Sequence, residues 1–297
     1  MAVLVTGGSG FIGRNLVRNL LSQGSEVVVA DLIEFPDNDV KTVKGDLRDP
    51  KVAYDALSNA SEGIVHLAAL TRVLASIKEP MAYYETNVGI TQNLLEGARN
   101  FSIPKFVFAS TNAVVGDMGE ALINENMKLS PLTPYGATKA ASEMLISAYS
   151  SAYGIDCSIL RFTNVYGTDM ESKDSLVARL MKAAVSGATI EIYGSGSQVR
   201  DYVFLDDVVE AIKLGFDITG LETVVVGYGK STSVVDLIDF ARKATRCEIP
   251  TIHVDAKPGE MPAVKVDNRK LFELGGMPKT DLQAGLDIVW KWWLENR

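Results

Sequence analysis

The chain is poor in the residues that metal sites and disulfide frameworks require: its 297 residues include two cysteines and two histidines. Cys157 and Cys247 stand in unrelated contexts, and His66 and His253 are far apart in the chain, so neither a metal cluster nor a disulfide scaffold is expected. There is no block of consecutive basic residues, and the formal net charge is -8, which leaves no electrostatic footprint for nucleic acid or an acidic membrane surface. Long apolar runs are missing as well. The opening stretch Ala2–Val5 is too short for a signal-peptide core, and no later segment approaches a membrane span. What is present is a 47% share of hydrophobic residues, enough to bury a full core. A soluble protein of the reducing cytoplasm is the expectation.

Short β-branched runs alternate with helical patterns over the first two thirds of the chain, the pattern of βαβ units. The expected fold class is α/β, a Rossmann-type doubly wound parallel sheet with a smaller C-terminal α/β lobe for substrate. Strands are expected at 2–6, 26–31, 41–44, 63–68, 105–110 and 158–162. Helices are expected at 12–22, 51–60, 81–100 and 138–152. Beyond Tyr166 the pattern loosens. Residues 1–165 are assigned to the nucleotide-binding domain with a return segment at 201–228, and 166–200 with 229–297 to the substrate lobe.

The first strand runs into TGGSGFIG, so Gly7, Gly10 and Gly13 form a glycine loop that opens a helix. Gly7 suits the tight turn, Gly10 the approach of backbone to a pyrophosphate, and Gly13 the packing of helix on strand. The helix N-terminus, where Phe11 and Ile12 sit, offers N–H donors to the anion. A glycine-rich turn without ligand is the plain alternative. An acid in the expected place argues against it: Asp31 ends the second strand, where a carboxylate accepts from ribose hydroxyls and repels a 2′-phosphate. The cofactor is therefore expected to be NAD rather than NADP. Asp46 and Leu47 follow the third strand, where an Asp is suited either to the adenine amino group or to a turn.

Tyr135 and Lys139 share one face at the head of a helix, where an ammonium near a phenol would favour its ionised form. Such a phenol can accept a proton from a sugar hydroxyl. Most Tyr-x-x-x-Lys pairs are surface decoration, but this one follows the fifth strand, whose end carries Thr111 at the sheet edge where ligands bind. Thr111, Tyr135 and Lys139 form the expected proton-transfer triad.

With TGGSGFIG, HLAA at His66, STNAVVG, PYGATKAASE, LRFTNVYG, IYGSGSQVRDYVFLDD and KPGEM in order, the chain resembles the extended short-chain dehydrogenase/reductase family along nearly its whole length. Within it, the similarity is greatest to the UDP-glucose 4-epimerases. The resemblance implies NAD contacts from Leu67, Ala68 and Ala69, and from Tyr135 and Lys139 besides their catalytic part. It implies substrate contacts from Asn164 to the diphosphate or the sugar, from Arg200 to the diphosphate and from Glu260 to the nucleotide ribose, beside the contact of Thr111 with the substrate hydroxyl. An ion pair with Asp201 or Asp206 is the alternative for Arg200. Lys257 stands where relatives carry Arg, keeping the charge but losing the fork. Ile90, in NVGIT, stands where Gly is customary, so helix packing there is expected to differ. His66 and the tryptophans near the C-terminus read as packing residues. A homodimer through the helices at 81–100 and 138–152 is implied by resemblance alone.

The residues after Thr111 bear on the reaction. The 4,6-dehydratases of the family carry Asp-Glu there, and the decarboxylases Glu at the second position, whereas this chain has Asn112 and Ala113. An epimerase needs no second acid/base pair. The expected activity is NAD-dependent 4-epimerisation of a UDP-sugar, UDP-glucose and UDP-galactose first. N-acetylated or glucuronate sugars, an NAD(P)-dependent keto-sugar reductase and a non-catalytic dinucleotide sensor are the alternatives.

Overall fold

The structure is a computed structural model and describes residues 2–256 and 263–296. Its chain divides into two compact units, one of residues 1–116, 125–162 and 209–224, the other of 117–124, 163–208 and 225–297.

The first unit is built on a parallel sheet. β1 (Ala2–Thr6), β2 (Glu26–Asp31), β3 (Lys41–Lys44), β4 (Gly63–His66) and β5 (Lys105–Thr111) are joined by Asp156–Phe162 and Leu221–Val226. From one edge the order is Leu221–Val226, Asp156–Phe162, β5, β4, β1, β2, β3. The strand-order reversal beside β1 places the ends of β1 and β4 side by side, with Thr6 opposite His66. The strands read as continuous β-branched runs because helices cover both faces of a parallel sheet. Leu4, Ile64, Phe106 and Phe108 are fully buried against Leu57, Leu94, Leu95 and Ile146 from the helices.

The helix Pro134–Tyr153 carries its own punctuation. Thr133 caps it by accepting from the Gly136 N–H, Pro134 occupies the first turn, and Gly154 closes it at φ 69°. The helix expected at 81–100 is instead interrupted. Pro80–Tyr83 leads into a π-turn at Tyr84–Val88 before Gly89–Phe101. The cause is Asn87, which is drawn inward. Its Oδ1 accepts from Leu70 N at 2.8 Å and its Nδ2 donates to Leu70 O and Thr138 Oγ1, both at 3.0 Å. Such single wide turns insert a residue without breaking the helix. Ile90 then falls on the core side, 4% exposed.

In the second unit, Val199–Phe204 pairs parallel with Asn164–Tyr166 and antiparallel with Ser231–Ser233. This pairing corrects the expected domain division: residues 201–208 and 225–228 belong to the second unit, and only 209–224 return to the first. Residues 117–124 also join the second unit, through Leu122–Ile123 against Lys265–Val266.

Candidate active site

The glycine loop is fixed by close backbone packing. Gly7 has φ 68°, and a Cβ there would lie 2.7 Å from Ala68 N. This close approach adds to the pairing of β1 with β4, and Ala68 N also donates to Thr6 Oγ1 at 3.3 Å. A Cβ on Gly13 would meet the Gly7 carbonyl oxygen at 2.2 Å. Gly10 differs: only Gly7 O, at 3.1 Å, lies within 4 Å of its Cβ position. Gly10 is the N-cap of the helix Phe11–Ser22 and supplies no side-chain cap to the first turn. An uncapped helix N-terminus behind an open glycine is a site for an anion such as a pyrophosphate.

Asp31 lies half-buried at the tip of β2. Its Oδ2 accepts from Ser9 N in the glycine loop at 3.0 Å, and its Oδ1 accepts from Ile33 N at 3.3 Å. The carboxylate is thus steered toward the loop, and each oxygen retains capacity for a further donor. These residues fit a dinucleotide with unphosphorylated ribose.

Asp46 is engaged differently. Arg48 forks onto its carboxylate, with Nε at 2.9 Å and Nη2 at 2.5 Å from Oδ2, and holds its pKa below the usual carboxylate range. The Arg48 N–H also donates to Oδ1 at 2.9 Å, so Asp46 shapes its turn, and an adenine contact would share an occupied carboxylate. The Leu47 side chain is 3% exposed and packs in the core, which leaves only its main chain to face a cofactor. Phe11 is likewise buried, whereas Ile12, Leu67, Ala68 and Ala69 are half-buried.

The triad residues come together on β5 and the helix Pro134–Tyr153. Thr111 hydrogen-bonds the Tyr135 phenol. Its Oγ1 also accepts from Ala113 N at 3.2 Å, which locks its rotamer. Lys139 Nζ donates to Ala109 O at 2.9 Å and lies 4.5 Å from the centre of the Phe108 ring. This corrects an expectation about charge. Lys139 does not bring the phenol near neutrality in the protein by itself. Burial pushes Tyr135 up to about 12, against the downward pull of the Thr111 hydrogen bond, and Tyr83 adds to the rise. Burial draws the Lys139 ammonium down to about 7, with Glu143 acting in the opposite direction.

Two features were not anticipated from sequence. Beside Thr111, Asn112 is 6% exposed, and neither its Oδ1 nor its Nδ2 has a partner. A buried unpaired carboxamide costs about 1–3 kcal/mol, so this position suits a polar guest. The second is a buried ion pair: Arg161 Nη2 lies 2.8 Å from Glu143 Oε2, with side chains 5% and 4% exposed. A Glu one turn beyond Lys139 is the only trace of it in the sequence.

His66 is a core residue. Its Nδ1 meets Thr6 Oγ1 at 2.8 Å and its Nε2 meets Thr91 Oγ1 at 3.2 Å, and burial, with the Lys139 charge adding to it, keeps the ring neutral.

In the second unit, Asn164 and Arg200 stand on neighbouring strands. Asn164 Nδ2 donates to Asp201 O at 3.0 Å, and Arg200 Nη1 to Val199 O at 2.8 Å. Of the two alternative partners named for Arg200, Asp201 is engaged elsewhere. Asp201 is fully buried, and its oxygens accept from Thr163 Oγ1 at 3.0 Å, Tyr228 N at 2.8 Å and Gly229 N at 2.7 Å. Lys257 and Glu260 lie outside the described residues. Among the described residues, no group of three or more His, Cys, Asp or Glu is placed to hold a metal ion, and no helix is long and apolar enough to cross a membrane.

The chain is similar to known proteins along its length. Residues 3–223 match the model of the NAD dependent epimerase/dehydratase family. The UDP-glucose 4-epimerase of Mycolicibacterium smegmatis is 34% identical over 302 residues, covering 96% of each chain. The crystal structure of UDP-glucose 4-epimerase from Thermotoga maritima with UDP-glucose is 29% identical, with a TM-score of 0.95 and 99% of each chain covered. A dTDP-glucose 4,6-dehydratase from Streptomyces venezuelae, a double mutant with NAD bound, is 31% identical, with a TM-score of 0.91 over 100% of this chain and 98% of that one.

Proposed function

The chain belongs to the NAD dependent epimerase/dehydratase family, and from that premise we propose that it is a nucleotide-sugar 4-epimerase interconverting UDP-glucose and UDP-galactose. The observation that carries this reading is the Thr111–Tyr135 hydrogen bond with Lys139 one turn further along the same helix, followed by Asn112 and Ala113 instead of a second acid/base pair. Similarity to 4-epimerases and to a dehydratase is of comparable size, so it is the missing Asp-Glu pair that favours epimerisation.

Tyr135 is the base for the C4 hydroxyl proton, with Thr111 orienting the phenol and the same hydroxyl. NAD held by Gly7, Gly10 and Asp31 would supply the hydride acceptor and, when oxidised, a positive charge favouring ionisation of a phenol that burial pushes up to about 12. Lys139 contributes a second positive charge and orients the cofactor. The Asn112 carboxamide is suited to a hydroxyl of the sugar. Gly7, Gly10 and Asp31 hold the dinucleotide, and Asn164, Arg200, Lys257 and Glu260 are assigned to the nucleotide diphosphate and ribose. A sugar turned over without net redox change must pass through a 4-keto state that presents either face to the returning hydride, so a firm anchor belongs on the nucleotide rather than the hexose.

A cytoplasmic homodimer completes the proposal. Met144 and Tyr153, 67% and 53% exposed on the helix Pro134–Tyr153, and Phe101, 43% exposed, support pairing through these helices.

Purified protein is expected to release NAD on denaturation and, with no cofactor added, to invert C4 of UDP-glucose or UDP-galactose in a panel of UDP-sugars followed by NMR. Failure to invert any member overturns the reading.

A further inference from the structure

Three consecutive residues of β5 latch onto the helix Pro134–Tyr153 at its four-residue spacing. Ala109 accepts from Lys139, Thr111 bonds Tyr135, and Ser110 Oγ donates to Glu143 Oε1 at 2.5 Å. The first two contacts belong to the site described above; the third has no part in it. Glu143 is also held from the neighbouring strand Asp156–Phe162, where Arg161 Nε donates to Oε1 at 3.0 Å and Nη2 to Oε2 at 2.8 Å. Arg161 in turn sends Nη1 to Glu125 O at 3.3 Å. Both Glu143 oxygens are therefore satisfied, in a place too buried for a carboxylate without such partners.

Glu143 lies one turn beyond Lys139, on the same helix face. Among the described residues, the Lys139 ammonium lies against the Ala109 carbonyl and the face of Phe108, neither of them charged. We propose that Glu143, fixed by Arg161 and Ser110, is a positioning residue that keeps Lys139 a charged ammonium at working pH. The inference rests on the part given to Lys139 under the proposed function.

The surroundings leave this task to Glu143. The groups packed about Lys139 are Tyr135 and Glu143 on its own helix, His66 from β4, Tyr83 against Tyr135, and Arg161 behind Glu143. Among these, Glu143 is the one carboxyl group. Burial brings Lys139 to about 7 even with that carboxylate in place, so its charge is balanced at the edge of loss.

The test is the titration of Lys139 in NAD-loaded protein labelled with [13Cε]lysine, its signal assigned by loss in Lys139→Ala. Glu143→Gln is expected to lower the midpoint by about one pH unit. The alkaline limb of the kcat–pH profile should move down with it, and Glu143→Asp, which keeps the charge, should move it less. Should Glu143→Gln fail to fold, Glu143→Asp supplies the test by itself: its shorter carboxylate is drawn back from Lys139, so a smaller downward shift of the Lys139 midpoint is expected and an unchanged midpoint overturns the inference. An unchanged Lys139 midpoint in the folded variant overturns the inference, whatever happens to kcat. Because the titration needs no turnover, absence of C4 inversion in the wild type counts against the epimerase reading and not against the Glu143 assignment.

Discussion

Replacing Tyr135 with phenylalanine is expected to lower kcat for the interconversion of UDP-glucose and UDP-galactose by about 10³-fold, while NAD stays bound. The loss follows from chemistry at one oxygen. Among the described residues no other phenol or carboxylate is hydrogen-bonded to Thr111, so the C4 hydroxyl proton loses its acceptor. The fold should tolerate the change, because the ring remains in its buried site and only one hydrogen bond is lost, worth about 1 kcal/mol. The check is a product assay by NMR beside a thermal melt and a count of bound NAD. Turnover within tenfold of wild type would show that Tyr135 is not the base. The direction of the pH profile is a second reading of the same experiment. Proton acceptance needs the phenolate, so activity that depends on Tyr135 rises with pH through the phenol's pKa in the loaded enzyme, and that dependence should disappear in Tyr135→Phe.

The second large effect lies in the glycine loop, where two glycines that look alike in sequence, Gly10 and Gly13, are expected to behave differently. A Cβ on Gly13 would stand 2.2 Å from Gly7 O and 2.6 Å from Gly8 Cα, both main-chain atoms held between β1 and the following helix. Neither can yield without moving the loop off β1. Gly13→Ala should therefore destabilise the protein by about 3 kcal/mol and abolish NAD retention. Gly10→Ala meets only Gly7 O at 3.1 Å, and its φ of -80° is open to any residue. It should cost less than about 1 kcal/mol in stability yet weaken NAD binding, because the methyl group occupies the approach left for the pyrophosphate. Urea unfolding of the two variants without added cofactor, with NAD content measured separately, distinguishes the effects. Equal stability losses would contradict this account of the loop.

Glu26–Asp31 was legible because a strand covered on both faces writes itself as an apolar run; Lys41–Lys44 also lies where the sequence puts it, although only Val43 of it is buried, whereas the edge strand Leu221–Val226 was not expected. The π-turn at Tyr84–Val88 was not legible. It depends on Asn87 turning inward to Leu70 and Thr138, and hydrophobic periodicity carries no record of a polar side chain that faces the core. The shared face of Tyr135 and Lys139 followed from helical spacing. Where the ammonium points did not, since the Ala109 carbonyl belongs to a strand distant in sequence. Arg161 and Glu143 were hidden for the same reason: each reads as an ordinary charged residue until β5, the next strand and the helix are packed together. The domain division was displaced because Val199–Phe204 has strand composition but finds its partners in Asn164–Tyr166 and Ser231–Ser233.

The central claim is that hydride leaves C4 and returns to the same carbon on the opposite face. The most direct measurement supplies UDP-galactose carrying deuterium at C4 to the purified protein in ordinary water, without added cofactor, and follows the label by NMR. The account predicts UDP-glucose with the deuterium retained at C4 and no accumulation of reduced cofactor. Inversion with the label lost to solvent, or no inversion at all, would contradict it.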